Sequence, residues 1–339
     1  MRIREICFRD FRCFRGEHRI SFVDPLTDEP RPITVLAGTN GSGKSTVLES
    51  IEAMLRLLGS PDSQPPALVQ EARNTGSIQL TVHSQEASRP QSLTFSDRLG
   101  YVEEGPLLLP DLANILGPET QFMDAGNADL RGGWLYFPHD RRLGPYRPGS
   151  IEAPPQNRQW LFRATPHNQW QGSLEQLWVW QNYLDLEAYK QRQGGENLKP
   201  FVETVETVLG EERKISVERG RAWVSVPWTA GGQRPRVTLD QLPSGEQQCL
   251  LLFGELARQR RPGAVIAIDE PELSLHPTLQ RLVVHQLMRI AREWDAQVIL
   301  ATHSLEILRA VHESERLLLD ELAQPEPALV EVITDAALV

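Results

Sequence analysis

Disulfides, zinc sites, membrane spans and coiled coils all need residues that this sequence does not supply. Only three cysteines occur in 339 residues, and Cys7, Cys13 and Cys249 form no Cys-x-x-Cys pair and accompany no histidine cluster. They fit a reducing compartment rather than a disulfide or zinc framework, each reading as a small apolar side chain. Apolar runs such as Cys249-Leu250-Leu251-Leu252-Phe253 fall far short of the ~20 residues a bilayer needs. The opening Met1-Arg2-Ile3-Arg4-Glu5 lacks the apolar core of a secretion signal, so the expectation is a cytoplasmic protein with no membrane partner. Positive charge is in deficit, with 35 lysines and arginines against 45 aspartates and glutamates and a formal net charge of −10. Any nucleic-acid contact must therefore use a local patch. No internal repeat and no sustained heptad pattern is found, which leaves no basis for a coiled coil.

What is present is ordinary for a folded chain: 40% hydrophobic and 24% charged residues. Ile3, Ile6, Phe8, Phe11, Phe14, Ile20 and Phe22 predict strands ahead of a turn-rich connection at 24–32, and prolines break the chain at 60–66. Short strands are expected at 78–83, 92–95 and 134–137, a long loop at 140–166, and helices at about 173–193 and 197–209. Five of the eight tryptophans lie between Trp134 and Trp180, either as a partner surface or, the favoured reading, as the core of a small helical lobe. Two groups of arginines stand out. Arg2, Arg4, Arg9, Arg12, Arg15 and Arg19 crowd the start, and Arg131, Arg141, Arg142 and Arg147 flank Trp134 and Tyr136. Each group reads as a DNA-contacting patch or as a solvated strand face.

The most specific signal is Gly38-Thr39-Asn40-Gly41-Ser42-Gly43-Lys44-Ser45-Thr46. It follows the buried-strand run Ile33-Thr34-Val35-Leu36-Ala37 and opens an amphipathic helix carrying Val47, Leu48, Ile51, Met54 and Leu55, which is the context a phosphate-binding loop requires. The glycines let successive N–H groups turn inward on phosphate oxygens, and the helix adds its positive end. Asn40, Gly41, Ser42, Gly43 and Thr46 are the expected cradle of a nucleoside triphosphate. Lys44 is then set to reach the β- and γ-phosphates, and the Ser45 hydroxyl to ligate Mg2+.

Far along the chain, Ala264-Val265-Ile266-Ala267-Ile268 reads as a second buried strand, ending in Asp269-Glu270. A carboxylate there faces the edge where ligands of open α/β sheets bind. Asp269 is the candidate for holding Mg2+ and Glu270 for activating the attacking water. A third such strand, 297–301, delivers Thr302-His303-Ser304 to the same edge. His303 reads as a contact to the γ-phosphate or attacking water, or as a core or capping histidine, and Ser304 as a helix N-cap. Leu242-Pro243-Ser244-Gly245-Glu246-Gln247 precedes an apolar helix and, taken alone, predicts only an N-cap at Ser244.

Together these segments resemble the ATP-binding-cassette ATPases, in the branch of RecF, SMC and OLD-type proteins and the related AAA family ATPases of bacterial defence systems. The loop at 38–46 is similar to the Walker A, 242–247 to the signature motif, 266–270 to the Walker B, 271–277 to the D-loop and His303 to the switch histidine. Asp10-Phe11-Arg12-Cys13-Phe14 resembles the opening of these heads, whose arginine lies near the nucleotide, and Arg12 is the matching residue. The resemblance covers about 1–55 and 238–320. It implies an α/β, P-loop ABC-type ATPase head with a mixed central sheet, an antiparallel β subdomain and an inserted helical lobe. The whole chain would be one head, with a core lobe at about 1–60 and 238–339 and an inserted lobe at about 75–237.

The resemblance also implies an ATP- and Mg2+-dependent homodimer. Each ATP would lie between the Walker A of one head and Ser244, Gly245 and Glu246 of the other. Three departures stand against a full match: Pro243 takes the usual signature serine's position, no glutamine is assignable as the Q-loop although 134–142 is the region where it is expected, and neither a coiled coil nor a nuclease domain is recognisable. The leading expectation is an ATPase that switches a separate effector, a nuclease or toxin, in anti-phage defence or DNA maintenance. A RecF-like ATP-dependent DNA clamp and a nucleotide-gated scaffold with little hydrolysis are the alternatives.

Overall fold

The structure, a computed structural model, describes residues 1–59, 65–84, 91–96, 132–142, 153, 160–164, 174–210, 212–226 and 235–322. Its first elements are β1 (Arg2–Phe11), β2 (Phe14–Ser21), β3 (Ile33–Ala37), α1 (Lys44–Gly59), α2 (Ala67–Thr75), β4 (Ser77–Ser84) and β5 (Gln91–Ser96). A middle group holds β6 (Trp134–Phe137), β7 (Leu161–Arg163), α3 (Leu174–Lys190), α4 (Lys199–Leu209), β8 (Ile215–Glu218), β9 (Arg221–Ser225) and β10 (Arg236–Thr238). The last holds α5 (Ser244–Arg258), β11 (Val265–Asp269), α6 (Pro277–Glu293), β12 (Gln297–Thr302), α7 (Leu305–Arg309), β13 (Arg316–Leu318) and α8 (Leu319–Leu322).

The central sheet has the order β13-β3-β12-β11-β6-β7. Expected to be mixed, it pairs in parallel at every described neighbour, and the antiparallel pairings belong to two other sheets, β2-β1-β4-β5 and β10-β9-β8. A parallel sheet is covered on both faces, which is why its strands read as unbroken apolar runs. Alternation still sorts the side chains. Ile33, Val35, Ile266, Ile268, Val298 and Leu300 enter one buried cluster with α5 and α6, while Leu36, Val265, Ala267, Ile299 and Ala301 enter the other with α1 and the strands β1, β2 and β4.

The register fixes where chemistry can occur. Asp269 pairs with Ala301, and Thr302 with Ala37, so the carboxyl ends of β11, β12 and β3 share one edge, and the residues that follow each strand emerge side by side.

Two expectations are corrected. The 140–166 stretch is not all loop, because Trp160-Leu161-Phe162-Arg163 carries β7 at the sheet's edge. An apolar pair inside a Pro- and Arg-rich stretch is too short to show periodicity. Nor does the helical region build a core of its own. Trp178, Leu174 and Leu177 of α3 and Val205 and Val208 of α4 are buried in the same cluster as Leu250 and Phe253 of α5 and Ile266 and Ile268 of the central sheet. Trp134 lies on the opposite face, and Trp170 falls outside the described residues. The stretch 75–237 also contributes β4 and β6 to sheets begun elsewhere. Among the described residues no helix is long and apolar enough to cross a membrane.

A shared core makes a prediction. Trp178→Ala should cost about 3–5 kcal/mol and move a single unfolding transition in a urea titration followed by circular dichroism. Two separated transitions would instead mark an independent helical lobe.

Candidate nucleotide-binding site

The phosphate loop leaves β3 and enters α1 at Lys44. Gly41 and Gly43 have φ of 88° and 97°, left-handed values that a side chain resists. A Cβ on Gly43 would also lie 2.6 Å from the Phe14 ring and 2.7 Å from Cys13 Sγ, so the loop is seated on the β1–β2 turn. Lys44 is 6% exposed, and its Nζ donates to the carbonyls of Gly38 and Thr39, each at 2.8 Å. Asn40 and Gly41 are exposed, Ser45 and Thr46 half-buried, and the buried Ser42 hydroxyl lacks a hydrogen-bond partner. Thr39 is held from a distance: its N–H and hydroxyl both donate to the Asp320 carboxylate of α8, each at 2.8 Å.

At the neighbouring strand end, Asp269 is 1% exposed and neither of its carboxylate oxygens has a hydrogen-bond partner of good geometry. Burial pushes its pKa up, while the facing Ser45 hydroxyl and His139 ring pull it the other way. A buried carboxylate without partners is costly unless something charged meets it. Ser45 and Asp269 thus fit Mg2+ accompanied by phosphate oxygens, although among the described residues no three histidine, cysteine or carboxylate side chains form a metal cluster by themselves. The imidazole Nδ1 of His139, at the carboxyl end of β6, stands 3.4 Å from Asp269 Oδ2. Sequence reasoning missed His139, whose position follows only from β6 lying next to β11.

Glu270 has φ of 47°, an uncommon conformation for a non-glycine residue. Both its backbone groups are pinned. Its N–H donates to Ala301 O at 2.9 Å, and its carbonyl accepts from Arg141 Nη2 at 2.9 Å. Arg141 Nη1 also donates to Asp269 O at 2.7 Å and to Pro138 O at 3.0 Å. This arginine is 2% exposed and burial lowers its pKa to about 10, so it stays charged at neutral pH. Its candidacy as a DNA contact is therefore overturned. Arg131 and Arg147 lie outside the described residues. The other arginine group is largely neutralised, since Arg2, Arg4, Arg9, Arg12 and Arg19 each pair with a carboxylate. Arg12 donates to Glu71 at 3.1 and 2.9 Å, with Glu49 at 3.5 Å, while its turn packs on the phosphate loop.

The His303 ring lies between two carboxylates, with Nδ1 3.6 Å from Glu270 and 3.3 Å from Glu272. Glu272 is 7% exposed and accepts from the Thr302 hydroxyl at 2.6 Å and from His303 N–H at 3.0 Å, a support with no local sequence signal. Ser304 caps α7 as expected, accepting from the N–H groups of Glu306 and Ile307.

The signature segment differs from expectation in one detail. Pro243, not Ser244, is the N-cap of α5, because proline's fixed φ already suits the helix entry, and the first turn has no side-chain cap. Ser244 is exposed, Gly245 is buried so tightly that a Cβ would meet Ser274 O at 2.5 Å, and Glu246 pairs with Arg213. Among the described residues no hydrogen bond or ion pair joins Ser244, Gly245 or Glu246 to the phosphate loop.

A phosphate loop, an acidic strand end and a switch-type histidine on one edge of a parallel sheet define a P-loop ATPase head. A family model described as "AAA domain, putative AbiEii toxin, Type IV TA system" matches residues 137–309, and another described as "AAA domain" matches 6–98. The chain belongs to the first of these AAA-domain families, whose model matches half of its length. It is 28% identical over 304 residues to an OLD nuclease of Thermus scotoductus, covering 80% of this chain and 55% of that protein. The chain therefore spans about half the length of that relative. Among solved structures, an SMC head bound to the winged-helix domain of ScpA matches with a TM-score of 0.50 and 13% identity over 92% of both chains, which supports the fold. The SMC head of Thermotoga maritima matches with a TM-score of 0.47 and 17% identity, again over 92% of both.

Asp269 sets function against stability. Its raised folded pKa means a destabilisation that is absent below the ordinary carboxylate range and grows as pH rises through the folded value. Asp269→Asn should stabilise the nucleotide-free protein by roughly 1–3 kcal/mol at pH 7.5, with less gain toward pH 4, read by thermal unfolding. Arg141→Met should cost roughly 1–3 kcal/mol by orphaning the buried carbonyls of Asp269 and Glu270, checked by chemical denaturation.

Proposed function

We propose that the chain is an ATP-hydrolysing switch whose two copies pair head to tail on ATP, and whose opening after hydrolysis controls a separate effector, a nuclease or toxin, in anti-phage defence or DNA maintenance. The observation that carries the reading is the buried Asp269 carboxylate, without a well-formed hydrogen bond, facing Ser45 beside the phosphate loop. Bound ATP would take the Lys44 ammonium from the carbonyls of Gly38 and Thr39, and the backbone of Asn40 to Thr46 would close on the phosphates. Mg2+ held by Ser45 and Asp269 would neutralise charge on the phosphate oxygens as the terminal bond breaks. Glu270 would accept a proton from the attacking water, and His303, steadied by Glu272, would contact the transferred phosphoryl group.

The dimer part rests on α5. Its first turn has no side-chain cap and begins at the exposed Ser244, and a helix N-terminus of that kind would bind phosphate from a second subunit. Contacts of this sort exist only in the closed pair, so ATP would shift the population toward closure. Arg12 would lie at the rim of the site, and the stretch 75–237 would be the inserted lobe that adapts the head to its effector. The DNA-clamp alternative loses Arg141, which is buried, and finds most of the N-terminal arginines paired, but keeps the exposed Arg142.

Phosphate release by wild type and Glu270→Gln tests the reading. Wild type should hydrolyse ATP with Mg2+, and the variant should lose about 100-fold or more in rate while keeping nucleotide affinity and eluting as a dimer with ATP. A wild-type protein that binds ATP but releases no phosphate, alone or with DNA or effector, is instead a nucleotide-gated scaffold.

A further inference from the structure

We infer that His139 is a nitrogen ligand of the nucleotide's metal ion, and that it shifts this site's preference from Mg2+ toward Mn2+. The inference rests on the nucleotide-binding reading above and deepens it.

The argument begins with position. β6 pairs with β11 in register Phe137 to Ile268, so the residues after each strand come out side by side, and His139 faces Asp269. The Nδ1–Oδ2 separation of 3.4 Å is near the roughly 3 Å that separates adjacent ligands around a six-coordinate ion with bonds of about 2.1 Å. The Asp269 carboxylate is faced by the Ser45 hydroxyl and the His139 ring, both at longer range than a well-formed hydrogen bond, and no other side chain among the described residues forms an ion pair or hydrogen bond with that ring. A histidine placed only to neutralise a buried aspartate would be expected to be buried with it. The imidazole is instead 61% exposed, against 1% for the Asp269 side chain.

Ligand chemistry then gives the direction. Mg2+ is a hard ion that favours oxygen and holds its waters, whereas imidazole suits first-row transition ions. Ser45, Asp269 and two phosphates would present only oxygen; His139 adds the one nitrogen. Neutral imidazole is the ligating form, so metal binding would release any proton it carries.

The test uses the full chain with ATP and Mn2+ under non-hydrolysing conditions, in the Glu270→Gln background. Electron spin-echo spectroscopy of the bound Mn2+ should show a nitrogen coupling that changes isotope signature when histidine alone is labelled with 15N, which separates the ring from the adenine. The coupling should vanish in His139→Gln, which supplies an oxygen in the same place. The ratio of nucleotide affinities in Mn2+ and Mg2+, measured with a fluorescent ATP analogue, should fall about tenfold in the same variant. Bound Mn2+ and nucleotide without a histidine coupling, or an unchanged ratio, overturns the assignment while leaving the ATPase reading intact. Failure to bind nucleotide with either ion overturns that reading and the assignment with it.

Discussion

A buried guanidinium holds this site together. Arg141 reaches from the loop after β6 to the backbone of Asp269 and Glu270, and its own carbonyl accepts from Gln248 Nε2 of α5 at 3.2 Å. One residue thus connects the acidic strand end, through its side chain, to the helix that carries Ser244 and Gly245, through its carbonyl. The carbonyls it satisfies belong to a turn with Glu270 at φ 47°, a conformation that costs of order 1–3 kcal/mol and persists only when its surroundings over-determine it. Burying a charge is tolerable here because both terminal nitrogens of the fork meet carbonyl oxygens.

How much of this could be read in advance depended on distance along the chain. The phosphate loop, the acidic strand end and the Thr302-His303-Ser304 edge are each local patterns, and β3, β11 and β12 appear where their apolar runs lie. His139 and Arg141 were out of reach for the opposite reason. They sit in a Pro- and Arg-rich stretch without periodicity, and their meaning comes from β6 pairing with a strand some 130 positions later. Arg141 was misread as a surface residue because an arginine beside aromatics looks like a nucleic-acid contact until its burial is known. The β8–β9 hairpin did have a signal, the alternating Ile215-Ser216-Val217 and the apolar Ala222-Trp223-Val224 joined by a turn at Arg219-Gly220, with φ of 53° and 73°. That is the two-residue turn with positive φ that suits a hairpin's twist.

The chemistry-bearing residues also break the rules the rest of the chain obeys. Apolar strands alternate cleanly between two buried clusters, while at their carboxyl ends stand a buried aspartate without a well-formed hydrogen bond, a strained glutamate and a buried glutamate bonded to Thr302. Departures of this kind cluster where a site must meet something that folding alone does not supply.

Asp320 gives the phosphate loop a second master. Its carboxylate grips the N–H and hydroxyl of Thr39 across 281 positions of sequence, from a four-residue helix that leaves the edge strand β13. Because β13 hydrogen-bonds to β3, the strand that launches the loop, both ends of this connection are anchored to the same strand. A fusion joint or cleavage placed before residue 320 would therefore remove a piece of the loop's own scaffolding. The boundary of the nucleotide-binding unit runs past β13, to that carboxylate.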